Sequence, residues 1–195
     1  MIIQFCGLSG AGKTTLATAA GEKLRKQGLP VEIIDGDEYR ETICRNLGFS
    51  KNDRCENIRR LAFVAGKLSN HGIISIICAI NPYEEIRKEI CKAYSNVKTI
   101  YVDCSIQTLK QRDTKGLYRK AMLPENHPDK IKNLTGINDP FDVPALPDLY
   151  INTGRNSISS CTGTLVEFIL QHVFRTKIIQ LEFTGSQYHQ KISYR

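Results

Sequence analysis

The sequence predicts an α/β protein in three layers, with a parallel sheet of five strands between two layers of helices. Three observations carry this expectation. Short apolar or β-branched runs alternate with helical patterns along the chain, which implies right-handed crossovers and a parallel sheet covered on both faces. The first run, Ile2 to Cys6, leads without a gap into a glycine-rich stretch, Gly7-Leu8-Ser9-Gly10-Ala11-Gly12-Lys13-Thr14. Finally, 195 residues with 41% hydrophobic and 24% charged side chains suit one ordinary globular domain with a sizeable core, and argue against disorder.

Each later element has its own signal. Leu16 to Gln27 carries helix formers and stops at Gly28 and Pro30. Val31 to Asp35 reads as the second strand, followed by helical patterns from about Asp37 to Leu47 and from Lys51 to Asn70, the latter closed by Gly72. Ile73 to Ile77, continuing through Cys78 and Ala79, has the β-branched content of a buried central strand. Tyr83 to Tyr94 is helical with charged pairs, Val97 to Asp103 is a strand, and Ser105 to Arg112 a short helix. From Asp113 to Pro147 the periodicity fades among Pro124, Pro128, Pro140, Pro144 and Pro147, so this stretch reads as a mobile lid over a site. Leu149 to Asn152 is long enough only for an edge strand, and a last helix spans about Cys161 to Phe174. Residues 1–175 then make up the domain. The tail, 176–195, belongs to no motif and stays open between a docking strand, an oligomer contact and a partly disordered end.

Composition narrows the function classes. The formal charge is +7, which suits a nucleic acid or small anionic substrates. Basic residues are spread along the chain and Trp is absent, so no nucleic-acid partner is expected. No apolar run approaches the roughly 20 residues of a membrane span, and no basic region followed by a hydrophobic one opens the chain, which points to a cytoplasmic protein without a membrane partner. The seven cysteines are scattered and never in C-x-x-C spacing; they read as reduced thiols, with Cys6, Cys78 and Cys104 packed at strand ends.

The glycine-rich stretch is a phosphate cradle. Gly7, Gly10 and Gly12 allow a turn tight enough for successive N–H groups to point at one anion, Lys13 adds a point charge, and the helix that opens there aims its positive end the same way. Thr14 places a hydroxyl where a Mg²⁺ bridging the β- and γ-phosphates would sit, making it the candidate metal ligand. The pattern is Walker A, in a strand-to-helix context. Candidate ATP contacts therefore run from Gly7, Leu8, Ser9, Gly10, Ala11 and Gly12 to Lys13, Thr14 and Thr15.

A second cluster, Asp35-Gly36-Asp37-Glu38-Tyr39-Arg40, falls where the second strand ends, at the rim of that site. Asp37 could orient or deprotonate an attacking hydroxyl, and Arg40 one turn on could grip an anionic acceptor. Taken alone, the same residues could be a helix cap and a surface ion pair. Lys13 and Asp37 are the candidate catalytic residues. In Leu47-Gly48-Phe49-Ser50 through Arg59-Arg60, Arg54 and Asn57 are three apart and share a helix face, either to hold an anion with Arg40 or as part of a solvated charged surface.

Taken together, GLSGAGKT, DGDEYR, LGFSKNDRCENIRR, Ile80-Asn81-Pro82-Tyr83, Gln111-Arg112-Asp113 with Lys115-Gly116-Leu117-Tyr118, and Thr135-Gly136-Ile137 resemble the adenylylsulfate kinases (APS kinases), in one order over roughly residues 1–170. The resemblance implies the P-loop kinase fold with a mobile lid, and transfer of the γ-phosphoryl of ATP, with Mg²⁺, to the 3′-hydroxyl of adenosine 5′-phosphosulfate. It implies that Asp37 faces the acceptor hydroxyl, that Arg40, Arg54 and Asn57 hold the phosphosulfate nucleotide, and that Phe49 stacks on its adenine. Ile80 and Asn81 would line the pocket, Lys115 would close from the lid, and Arg112 would contact the ATP adenine. A homodimer is expected on the same ground.

Departures from the family pattern fall on the acceptor side. Asn81 stands where these kinases usually have Ser before the Pro, and Asn133-Leu134-Thr135-Gly136-Ile137 replaces Gly-Phe-Thr-Gly-Ile. Leu134 thus removes one stacking face, worth ~1 kcal/mol or more of base affinity. Met122 to Lys132 is also longer than usual. These departures leave open a kinase of the same fold acting on another nucleotide-linked polar acceptor, such as a CDP-linked precursor of surface polysaccharide, and a non-catalytic nucleotide-binding module.

Overall fold

A computed structural model of the protein describes residues 1–174; the tail, and with it the three roles left open for it, lies outside the described residues. Five strands, β1 (Ile2–Cys6), β2 (Val31–Asp35), β3 (Ile74–Cys78), β4 (Val97–Asp103) and β5 (Leu149–Asn152), form one sheet in the order β2-β3-β1-β4-β5. All four pairings are parallel. Strand order reverses at β1, so the carboxyl end of the central strand opens into a crevice, the place where such sheets hold ligands.

The sheet separates two cores, and the period-2 alternation of β1 assigns its side chains to them. Ile3 and Phe5 face a cluster with α1 (Lys13–Lys26), α5 (Ile106–Arg112) and a helix over 158–174, here α7, which contributes Cys161, Leu165 and Ile169. Ile2 joins Ile34 and Ile77 in the opposite cluster, against α3 (Lys51–Asn70) and α4 (Glu84–Ala93). α1 presents Leu16, Ala17, Ala20, Gly21 and Leu24 as its buried stripe, the three small residues letting it lie close on the strands.

Glycines stop α1 and α3 in the same way. After α1 the Gly28 N–H meets the Arg25 carbonyl and the Leu29 N–H the Leu24 carbonyl; after α3 the Gly72 N–H meets Ser69 and the Ile73 N–H meets Leu68. Both glycines are left-handed, at φ 76° and 79°, as this closing motif requires. Ser50 and Ser105 cap α3 and α5 by accepting the backbone N–H groups of Asp53 and Thr108.

Two sequence expectations need correction. The helix expected over Asp37 to Leu47 is only α2 (Gly36–Arg40), followed by turns to residue 46. Thr42 turns its hydroxyl back onto the Glu38 and Tyr39 carbonyls, Cys44 buries itself, and its N–H bonds to Tyr39, which bends the chain out of helical register. The last helix also begins at 158, three residues before the expected Cys161, because Ser157 caps it through the Ser160 N–H.

The lid segment has little regular structure: α6 (Leu117–Ala121), an isolated bridge between Thr135 and Asp139, and turns. It nonetheless buries Tyr118, Leu134 and Thr135. All seven cysteines are free thiols, six buried and Cys91 exposed. Among the described residues no helix is long and apolar enough to cross a membrane.

Candidate active site

β1 delivers the chain to the crevice at Gly7, which lies against the neighbouring strand. A Cβ there would sit 2.2 Å from the Val102 carbonyl oxygen, and the φ of 152° is itself unsuited to a side chain. Gly12, left-handed at φ 88°, is the N-cap from which α1 starts, so the first free N–H groups of α1 point into the loop. The Lys13 ammonium donates to the Gly7 and Leu8 carbonyls at 2.8 Å each. Burial holds its pKa down at about 8, so it sits where a phosphate would strongly favour its charged form.

The Thr14 hydroxyl donates to Asp35 Oδ2 at 2.7 Å. The other Asp35 oxygen accepts the Asp37 N–H at 2.9 Å and starts α2. Asp35 therefore joins the phosphate loop to the DGDEYR cluster. The Asp37 carboxylate, 73% exposed, pairs instead with Lys115 of the lid segment.

The acceptor-side residues converge. A cavity of about 490 Å³ beside this cluster is lined by Asp37, Arg40, Phe49, Arg54, Asn57, Ile80, Asn81, Lys115, Asn133 and Leu134, every substrate-side residue that the sequence singles out. Both arginines flank Phe49, with the Arg40 and Arg54 guanidinium carbons 4.6 and 5.6 Å from its ring centre. Arg40 donates to the Leu47 and Gly48 carbonyls, and burial followed by the nearby Arg54 charge lowers its pKa.

Arg54 and Asn57 are not part of a solvated face. They are 8% and 5% exposed, because the lid segment comes over α3. Arg54 donates to the Phe49 carbonyl, the Thr135 hydroxyl and the Asn133 carbonyl, and lies 3.2 Å from Asp139. The buried Asn57 Oδ1 has no hydrogen-bond partner among the described residues.

On the other side of the loop, Arg112 donates to the Thr153 carbonyl at 3.0 Å and lies 3.7 Å from Cys104 Sγ. The Thr153 hydroxyl donates to the Ala11 carbonyl at 2.8 Å, which links Arg112 through Thr153 to the phosphate loop. Thr153 itself escapes a reading of the sequence, as do Asp35 and Tyr118, whose hydroxyl donates to the Ser9 carbonyl. The DGD spacing is the one signal that could have flagged Asp35.

A protein-family model described as adenylylsulphate kinase matches residues 1–152. The chain belongs to the adenylylsulfate kinase family. An adenylyl-sulfate kinase of Synechococcus sp. strain JA-3-3Ab is 42% identical over 170 residues, 87% of this chain and 94% of that relative. One from Chloroflexus aurantiacus is 44% identical over 166 residues, 85% and 87% of the two chains. Among solved structures, the Mycobacterium tuberculosis APS kinase CysC in complex with AMPPNP and APS superposes with a TM-score of 0.80 at 34% identity, over 86% of this chain and 96% of that one. The three-layer P-loop kinase fold expected from the sequence is thus the fold of an adenylylsulfate kinase.

Proposed function

We propose that this chain transfers the γ-phosphoryl group of ATP to the 3′-hydroxyl of adenosine 5′-phosphosulfate, giving ADP and the 3′-phosphorylated nucleotide. The observation that carries the reading is the single cavity that puts Asp37, two arginines and an exposed aromatic ring next to the phosphate loop. Family membership and likeness to a kinase structure described with AMPPNP and APS support it.

In this reading the backbone N–H groups at the start of α1 and Lys13 hold the ATP phosphates. Little covalent chemistry is asked of the protein, so positioning and charge neutralisation dominate. Asp37 orients the acceptor hydroxyl and takes its proton, moving off Lys115 as it does so. Phe49 stacks on the acceptor base, Arg40 and Arg54 bind its anionic groups, and the bare Asn57 Oδ1 accepts a ligand donor. Arg112 contacts the ATP base. Thr14, Asp35 and Asp37 present only hard oxygen donors, a set that fits Mg²⁺ directly or through water. When bound, Mg²⁺ would neutralise charge on the β- and γ-phosphates. The lid, about 113–147, excludes water as a competing acceptor. A cytoplasmic homodimer is the assembly proposed; a relative from Thiobacillus denitrificans is described as hexameric.

Leu134, buried in the cavity wall, favours a second reading in which the acceptor is another nucleotide-linked molecule. Coupled ADP release with adenosine 5′-phosphosulfate, against a panel of other nucleotides, tests both. Turnover of the sulfate nucleotide at the highest kcat/KM is expected. Turnover of another nucleotide alone would refute the first reading in favour of the second, and ATP binding with no turnover on the panel would refute both.

A further inference from the structure

Three consecutive carbonyls in the loop after β3 accept hydrogen bonds from three different parts of the molecule. Ile80 takes the Gly7 N–H of the phosphate loop at 3.1 Å, and Pro82 takes the Asp142 N–H at the far end of the lid segment at 2.8 Å. Between them, Asn81 takes Arg87 Nη1 of α4 at 2.7 Å. Asn81 holds a left-handed φ of 47° at this junction, with its side-chain amide tied to Gln4 in β1.

Arg87 is 2% exposed and does not line the cavity. Every guanidinium nitrogen is engaged, through four of its five N–H groups: besides the Nη1 bond to Asn81, Nη2 donates to the Asp142 carbonyl at 2.6 Å, and Nη2 and Nε both donate to Glu84. Glu84 in turn is held by its N–H to the Asp142 carboxylate. An i,i+3 ion pair on α4 needs none of this burial, and burying a guanidinium is costly unless it is paired and further hydrogen-bonded. What the burial accomplishes is to tie one cavity-wall carbonyl and the end of the lid segment to one planar group. A fork of fixed donors can do that; a point charge cannot.

We propose that Arg87 is a positioning residue for the acceptor half of the reaction, fixing the Ile80–Pro82 wall against the lid without touching either substrate. The inference rests on the phosphoryl-transfer reading of the cavity, but it can fail separately.

Arg87→Lys keeps the charge and loses the fork. Steady-state kinetics with adenosine 5′-phosphosulfate should give an acceptor KM raised at least about tenfold, with the ATP KM within about twofold of wild type. Amide hydrogen exchange on the same variant should quicken at the N–H groups of Ile80, Asn81 and the non-proline residues of 133–142, and stay unchanged at 8–14. Unchanged constants, or both KM values rising by one factor, would overturn the proposal, as would exchange that is unchanged or uniformly faster. If Arg87→Lys does not fold, Glu84→Gln weakens the same clamp from a partly exposed position. It should give the same split at about threefold, and an unchanged acceptor KM there would also overturn the proposal. Should the wild-type protein fail to turn over the sulfate nucleotide, the activity reading falls, while the exchange pattern still decides the role of Arg87.

Discussion

Asp37 stands at the edge of the cavity with its carboxylate largely in solvent and Lys115 beside it. A general base there acts only on the acceptor hydroxyl, so Asp37→Ala should lower kcat by about 10²-fold or more and leave ATP affinity within about threefold, measured by steady-state kinetics and nucleotide titration. Near-normal turnover would refute its assigned role. Lys13 gives a pH signature. Burial lowers its pKa to about 8 in the free protein, whereas phosphate favours the charged form. Below that pH the side chain is already protonated and the KM for ATP should be flat. Above it, binding must take up a proton, so the ATP KM should rise by up to about tenfold per pH unit. Leu134→Phe restores a second ring facing the cavity and should lower the acceptor KM by about fivefold, equivalent to ~1 kcal/mol. Several of these residues are legible in the sequence because their chemistry is local to a motif. Asp35, Tyr118 and Thr153 are not, since each acts through a partner distant in the chain: Thr14, Ser9 and Ala11. Arg87 reads as one more charge on a charged helix until Asn81 and Asp142 are seen around it.

At the scale of elements, capping residues and apolar periodicity place most boundaries within a residue or two, because glycine stops and serine caps act over a single turn. The exception is the stretch after Arg40. Its helical pattern is overridden by Thr42 and Cys44, whose turn-forming bonds and burial outweigh a weak propensity. Nor does the sequence reveal that α3 is covered on its Arg54 and Asn57 face, since the groups covering it lie about 80 residues away in the lid segment. β1 and its turn are the element with least tolerance. Gly7→Ala forces a Cβ to 2.2 Å from the Val102 carbonyl, so β1 and β4 must part where the loop begins. That variant should lose at least about tenfold in ATP affinity by titration calorimetry, or unfold at a lower temperature. Wild-type values in both would mean the loop is more plastic than its geometry implies.

For the molecule as a whole, the alternation of strands and helices was sufficient to anticipate a parallel sheet with two covered faces, whereas the strand order is a tertiary fact that no single segment encodes. Six of the seven thiols are buried, four of them in the two cores. Burial pushes the Cys6 thiol up to about 11 and Cys78 up to about 12, so neither ionises near neutrality, and Cys91, near the end of α4, is the one exposed cysteine. A chromogenic disulfide reagent should therefore titrate one group rapidly in the native protein and seven once denaturant is added. The protein comes with a built-in chemical handle: a maleimide dye on that lone exposed thiol would track unfolding, self-association or ligand-driven rearrangement with no engineered cysteine and no reagent near the phosphates.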